Sequence, residues 1–179
     1  IDVEVSDMNE DGFKDLILAN RNSQPNYIYF NDGDLNFNKR VLFGKGNDNT
    51  RAIEIGDFNS DGYKDIATAN IDGPNIIYFG DKTSKFKNNI VFDRSDSSSF
   101  SLAANDFDGN GNLDIVVGNS PGSTKVYLNI SNGKKWKEVV ISKNNFRTYD
   151  IIDSDINGDG KIDIIEANTD ENNFYFINN

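Results

Sequence analysis

Apolar and polar residues alternate along this chain in short stretches and do not recur at helical spacing. Val3 and Val5, Ile53 and Ile55, and Leu102 and Ala104 each lie two apart, which is the period of a strand with one buried face. In the fourth comparable stretch Asp153 stands after Ile151, where an apolar residue is expected. Runs rich in β-branched and aromatic residues follow: "DIATAN" and "DIVVGN", then "NYIYF", "NIIYF", "KVYLN" and "NFYFI", then "FNKRVLF", "FKNNIVF" and "WKEVVIS". Such runs read as strands. Clusters of turn-forming residues, "NDGD", "IDGP", "SPGS" and "SNGK", separate them. The pattern predicts four strands per unit, joined by connections short enough for antiparallel neighbours.

The units repeat. "DMNEDGFKDLILAN", "DFNSDGYKDIATAN", "DFDGNGNLDIVVGN" and "DINGDGKIDIIEAN" begin at Asp7, Asp57, Asp106 and Asp155, spacings of 50, 49 and 49 residues. Each copy ends in an asparagine (Asn20, Asn70, Asn119, Asn168) and is followed by a tyrosine (Tyr29, Tyr78, Tyr127, Tyr175). Phe37, Phe86 and Trp136 then recur in the first three copies. Four-stranded sheets repeated about an axis make a β-propeller. The expected fold is therefore all-β, with four antiparallel blades in one domain over residues 1–179. The repeats cover approximately 1–50, 51–99, 100–147 and 148–179, the last incomplete. "FYFINN" stops where the turn to a last strand should start. These blades are expected to be part of a larger propeller, completed by flanking blades or a partner chain, in preference to a closed four-bladed ring lacking one strand.

Each repeat carries a nine-residue loop rich in oxygen donors. Positions one, three, five and nine are Asp7, Asn9, Asp11 and Asp15; Asp57, Asn59, Asp61 and Asp65; Asp106, Asp108, Asn110 and Asp114; and Asp155, Asn157, Asp159 and Asp163. Position seven varies (Phe13, Tyr63, Asn112, Lys161) and is expected to contribute its backbone carbonyl. Calcium takes six to eight hard oxygens, and a tight loop with a glycine at its turn can aim several inward. Magnesium demands stricter octahedral geometry and keeps its water, so calcium is the expected ion, up to four in all. In the fourth copy Glu166 also matches the twelfth position of a helical calcium hand. The other copies have Leu18, Thr68 and Val117 there. The flanks are strand-like, so Glu166 is read as a strand residue. Ordinary polar turns use the same residue types. Four copies in register favour metal.

Composition narrows the chemistry. The chain has 179 residues, 36% of them hydrophobic, enough for one sizeable core. It contains no cysteine and no histidine. That excludes disulfides, thiolate sites, histidine triads and most zinc or copper centres. A formal charge of −11 argues against nucleic acid and anionic membranes as partners. Four divalent ions add eight positive charges and bring −11 to −3. No apolar run nears the ~20 residues that span a bilayer, so no membrane insertion is expected. "IDVEVSD" lacks the parts of a signal peptide. The chain is read as mature or a fragment.

The loop D-x-[DN]-x-[DN]-G-x-x-D followed by an apolar strand, in all four repeats, resembles the FG-GAP and VCBS repeats, the blades of integrin-α-like propellers. "NDGDLNF" at residues 31–37 looks like the VCBS turn, and Phe43-Gly44 is an FG element in the first repeat. The resemblance spans essentially the whole chain. It implies a calcium-bearing propeller, usually extracellular or on the cell surface, used for adhesion or attached to secreted carbohydrate-active enzymes.

Two function classes follow from these features. One is a non-catalytic module that binds a glycan or an extracellular protein. The other is the propeller portion of a secreted polysaccharide-processing enzyme such as a lyase, in which a Tyr, Lys or Arg would act. The recurrent aromatics are expected to pack between blades. The terminal asparagines are expected to tie down strand ends, and Arg51 and Arg147 to be solvated charges. Segments 44–50, 93–99 and 142–147 differ among themselves and would form loops opposite the metal loops, the preferred binding face.

Overall fold

The computed structural model describes every residue except Ser95 and Asp96. The described residues form fifteen strands and no helix. The first sheet contains β1 (Asp2–Ser6), β2 (Asp15–Ala19), β3 (Gln24–Phe30) and β4 (Lys39–Asp48), each paired antiparallel with the next. The second repeats that order with β5 (Thr50–Gly56), β6 (Asp65–Asn70), β7 (Asn75–Phe79) and β8 (Asn88–Asp93). The third has β9 (Ser99–Asn105), β10 (Asp114–Asn119), β11 (Gly122–Asn129) and β12 (Trp136–Phe146). The fourth has three strands, β13 (Thr148–Ser154), β14 (Asp163–Asn168) and β15 (Phe174–Phe176). The first strands of successive sheets, β1, β5, β9 and β13, lie against one another, so the sheets are propeller blades in an open arc.

The core is a set of layers between blades. Met8, Ile17, Ile28, Phe30 and Phe43 of the first blade pack on Ile53, Ile66, Ile76, Tyr78 and Phe86 of the second. Phe58, Ile77 and Phe92 of the second meet Leu102, Ile115, Val117 and Tyr127 of the third, with Trp136 against them. Ala103, Phe107 and Val126 of the third meet Ile151 and Ile164 of the fourth. Edge-to-face ring pairs sit in the first two layers, Phe43 with Tyr78 at 5.8 Å and Phe92 with Tyr127 at 5.4 Å. Tyr78, Phe86, Tyr127 and Trp136 therefore join blades, as expected of rings at one register. Tyr29 instead packs on Tyr27 of its own sheet at 5.9 Å, Phe37 belongs to none of these layers, and Tyr175 is 67% exposed.

Two strand expectations need correction. Val3 and Val5 are 53% and 55% exposed. Their counterparts Ile53 and Ile55 face the preceding blade, and no described sheet covers that side of the first blade. Segments 44–50 and 142–147 are not free loops. β4 and β12 run on through Asp48 and Phe146, leaving only Asn49 and Arg147 before the next blade begins. Segment 93–99 lies partly outside the described residues.

A chain of hydroxyls stitches the blades together where each new one starts. Thr50, Ser99 and Thr148 are fully buried. Thr50 Oγ1 donates to Asn70 Oδ1 at 2.9 Å and accepts from Asn26 Nδ2 of the preceding blade at 2.9 Å. Ser99 Oγ repeats this with Asn119 and Asn75 at 2.9 and 2.8 Å. Between the third and fourth blades Thr124 of the third replaces the longer asparagine, and Glu166 of the fourth spans the gap. It accepts from Thr124 Oγ1 at 2.6 Å and Thr148 Oγ1 at 3.1 Å. Glu166 is thus a buried strand residue with an interblade role. Asp153 is also accounted for: its carboxylate accepts from Asn105 Nδ2 of the third blade at 2.7 Å.

Candidate metal centres

Each oxygen-rich loop joins the first and second strands of its blade. The position-one aspartate caps the turn from inside. Asp7 accepts from the Asp11 and Gly12 N–H groups at 3.2 and 2.9 Å. Asp57 does so from Asp61 and Gly62 at 3.1 and 2.9 Å, Asp106 from Asn110 and Gly111 at 3.0 and 2.8 Å, and Asp155 from Asp159 and Gly160 at 3.1 and 2.9 Å. Gly12, Gly62, Gly111 and Gly160 have φ between +85° and +92°, a left-handed conformation that side chains disfavour. The N–H of position seven donates to the position-five side chain in every copy: Phe13 to Asp11, Tyr63 to Asp61, Asn112 to Asn110 and Lys161 to Asp159.

The ninth-position aspartates are fully buried strand starts. One oxygen of each accepts from the residue after position one: Met8 to Asp15, Phe58 to Asp65 and Phe107 to Asp114 at 2.9 Å, and Ile156 to Asp163 at 3.0 Å. The other accepts from the end of the third strand, through the N–H of Asn31, Gly80, Asn129 or Asn178 at 2.9, 2.8, 2.7 and 2.9 Å. One carboxylate thereby locks three chain segments. Loss of water around it pushes Asp65 up to about 7 and Asp114 up to about 6, more than their two backbone hydrogen bonds draw them down. Asp15 is raised for the same reason. A cation beside these groups would reverse that burden.

The donor set fits calcium: all oxygen, mostly carboxylate, on a tight turn. Asp106, Asp108 and Asp114 bring one oxygen each within 4.8 Å of one another, the one such acidic group among the described residues. In the other loops position three is an asparagine whose amide donates to the position-five carboxylate at 2.9 Å: Asn9 to Asp11, Asn59 to Asp61 and Asn157 to Asp159. A cation bound in those loops would have to displace that side-chain pair.

The four terminal asparagines do tie strand ends. Asn20, Asn70, Asn119 and Asn168 donate from Nδ2 to the carbonyls of Pro25, Pro74, Ser123 and Asn172 at 2.7, 2.7, 2.7 and 2.9 Å. Arg147 is exposed. Arg51 is not a plain solvated charge. Its guanidinium lies 5.1 Å from the Tyr149 ring centre and 5.7 Å from that of Phe100, a cation–π arrangement. It lines a cleft of about 320 Å³ where the four first strands meet, with Asp2, Glu4, Glu54 and Asp150. Glu54 there is pushed up to about 7, chiefly by burial and then by Glu4, Asp153 and Asp2. Spacing could not have found this cluster, because its members come from four blades.

The chain matches the model of the FG-GAP-like repeat three times, over residues 7–68, 57–117 and 106–165. No curated protein matches the sequence significantly. Among solved structures, the biofilm matrix protein Bap1 of V. cholerae superposes with a TM-score of 0.51 at 20% identity, covering 92% of this chain and 27% of that one. This chain thus spans about a quarter of the length of Bap1. At that identity the likeness shows the fold alone.

Proposed function

The chain belongs to the FG-GAP-like repeat family, and from that premise we propose a calcium-stabilised extracellular adhesion module, non-catalytic, that binds a glycan or an extracellular protein. The observation that carries the reading is the convergence of Asp106, Asp108 and Asp114 in a loop that recurs, in register, in every blade. Asp7, Asn9, Asp11 and Asp15, with their counterparts in the other repeats, would hold the remaining ions. Bound calcium would compensate the buried ninth-position carboxylates and pin the first strand of each blade to its third. Membership of the FG-GAP-like repeat family supports an extracellular setting and an adhesive role, and a biofilm matrix protein has the same fold. No helix among the described residues is long and apolar enough to cross a membrane.

We also infer that an outer strand from flanking blades or a partner chain completes the fourth blade. Phe107, Leu128, Val139, Ile141 and Phe176 line an apolar groove of about 230 Å³. Phe86 and Trp136 fill the corresponding places in the two preceding layers.

Terbium luminescence and calorimetric calcium titration test the metal reading. Asp108→Asn together with Asp114→Asn should remove one site and leave the others. Titration curves unchanged by this pair would contradict it. A second reading, part of a polysaccharide lyase, is favoured by one observation: Glu54, raised to about 7, shares the axial cleft with Arg51 and Tyr149. An acid poised near neutrality beside a cation and a phenol suits proton abstraction. Ultraviolet detection of unsaturated products from uronate polymers separates the two; turnover lost in Glu54→Gln would favour the enzyme.

A further inference from the structure

Two grooves of this molecule differ in charge. Carboxylates gather at the axis, where Asp2, Glu4, Glu54 and Asp150 line the cleft. At the rim, a groove of about 630 Å³ between the second and third blades has the opposite character. Arg94, Lys134 and Lys135 line it together with Asn89, Trp136 and the strand Ile90–Phe92, and no carboxylate does. All three cations are exposed. Among the described residues the one ion pair joins Lys125 to Glu138, so Arg94, Lys134 and Lys135 have no acidic partner there. In a chain of net charge −11, a basic groove with no acidic partner among the described residues is a local reversal of the field.

The feature recurs along the rim. Lys45, Arg94 and Lys143 follow one another at 49-residue intervals, one per blade at the far end of the outer strand, and all are exposed. Trp136 supplies an apolar wall. Its ring is half-buried against Phe58 and Phe92, and its indole N–H is spent on the Gly133 carbonyl at 3.1 Å. What remains of it offers contact surface, not a hydrogen bond.

We propose that this rim binds an acidic polysaccharide. Arg94, Lys134 and Lys135 hold its carboxylate or sulfate groups across the groove, the Trp136 edge packs on a sugar face, and Lys45 and Lys143 extend the contact to the adjoining blades. Evenly repeated single cations suit a polymer with a charge on each sugar or two, since weak contacts on one chain reinforce each other. Nucleic acid fits less well. Its charge recurs about every 1.7 Å in a duplex, far denser than one cation per blade can neutralise, and the acidic body would repel it. This inference rests on the adhesion reading and deepens it by naming a surface and a ligand class.

The test uses the chain as it stands, with calcium held constant at about 1 mM. Binding of polygalacturonate and heparin is compared with neutral dextran and single-stranded DNA, for the wild type and for the triple variant Arg94→Ala, Lys134→Ala, Lys135→Ala. These side chains are exposed, and matching thermal melts establish that the variant is folded. Expected is retention of the acidic polymers and not of dextran, weakened about tenfold or more by the triple variant and by high salt. Lys45→Ala with Lys143→Ala should weaken long polymers and leave short oligomers unaffected. Undiminished binding by the triple variant overturns the site, and equal or tighter binding of DNA overturns the ligand class. Binding of dextran alone overturns this proposal while leaving adhesion standing. Binding of no polymer overturns the proposal and counts against glycan adhesion as well.

Discussion

At the scale of single residues, the ninth-position aspartates carry two tasks. Asp65 is buried and accepts from the N–H groups of Phe58 and Gly80. Removing it leaves two buried donors unpaired, at about 1–3 kcal/mol each. Asp65→Ala should therefore cost about 3 kcal/mol in urea unfolding even without metal, and Asp65→Asn less, since the amide oxygen still accepts one bond. Glu54 has a different signature. Its carboxyl titrates at about 7 in the fold against an ordinary 4.5. Between those values the folded chain keeps a proton that the unfolded chain has released, so this group's contribution to stability falls as pH rises and levels off above 7. Glu54→Gln should remove that part of the slope and be more stable than wild type at pH 8. Denaturation midpoints measured from pH 5 to pH 8 check both claims. Spacing alone marked the aspartates as candidate ligands. Their backbone bonds were not legible, because the donors are main-chain N–H groups seven residues before and 15 or 16 after, which any residue type can supply.

At the scale of elements, the interblade layers bear the packing energy. Phe58 is fully buried between the second and third blades, 6.4 Å from the Trp136 ring. Phe58→Ala should cost about 3–5 kcal/mol, whereas Tyr175→Ala, at an exposed ring, should stay within about 0.5 kcal/mol. Chemical denaturation of the two variants side by side tests the assignment. Where the layers are repeated, alternation of apolar residues exposed them in advance. It misled at Val3 and Val5, since periodicity marks a face and not what covers it. Glycine and asparagine in 44–50 and 142–147 suggested loops; residues 44–47 and 143–145 do bulge from the ladder, but β4 and β12 pair again with β3 and β11 at Asp48 and Phe146. The hydroxyl stitching could not be read at all, because Asn26 and Thr50 are 24 residues apart and Thr124 and Glu166 are 42 apart. Thr124→Val would strip Glu166 of a donor in a buried site, at about 1–3 kcal/mol. Restoring the pattern of the other blades with Thr124→Asn and Glu166→Val should recover part of that loss.

At the scale of the whole molecule, interblade packing and the hydroxyl stitching act against the mutual repulsion of a chain with formal charge −11, and calcium in the loops would lessen that repulsion. The arc is built so that every blade has its loop at the same end and its first strand at the axis. Repetition made this succession of antiparallel sheets readable from the sequence. The axial cleft and the basic rim were not readable, since both are assembled across blades. If calcium binds only the folded arc, each site with a dissociation constant of about 0.1 mM adds roughly 1.4 kcal/mol at 1 mM calcium. For a chain of this size, 1 kcal/mol moves the midpoint by about 2–4 °C. The most direct measurement is thermal unfolding in about 1 mM calcium and in excess chelator, for wild type and for Asp106→Asn with Asp108→Asn. A rise of several degrees with calcium, smaller in the double variant, is expected; superimposable melts with and without the ion would contradict a structural role for calcium in this fold.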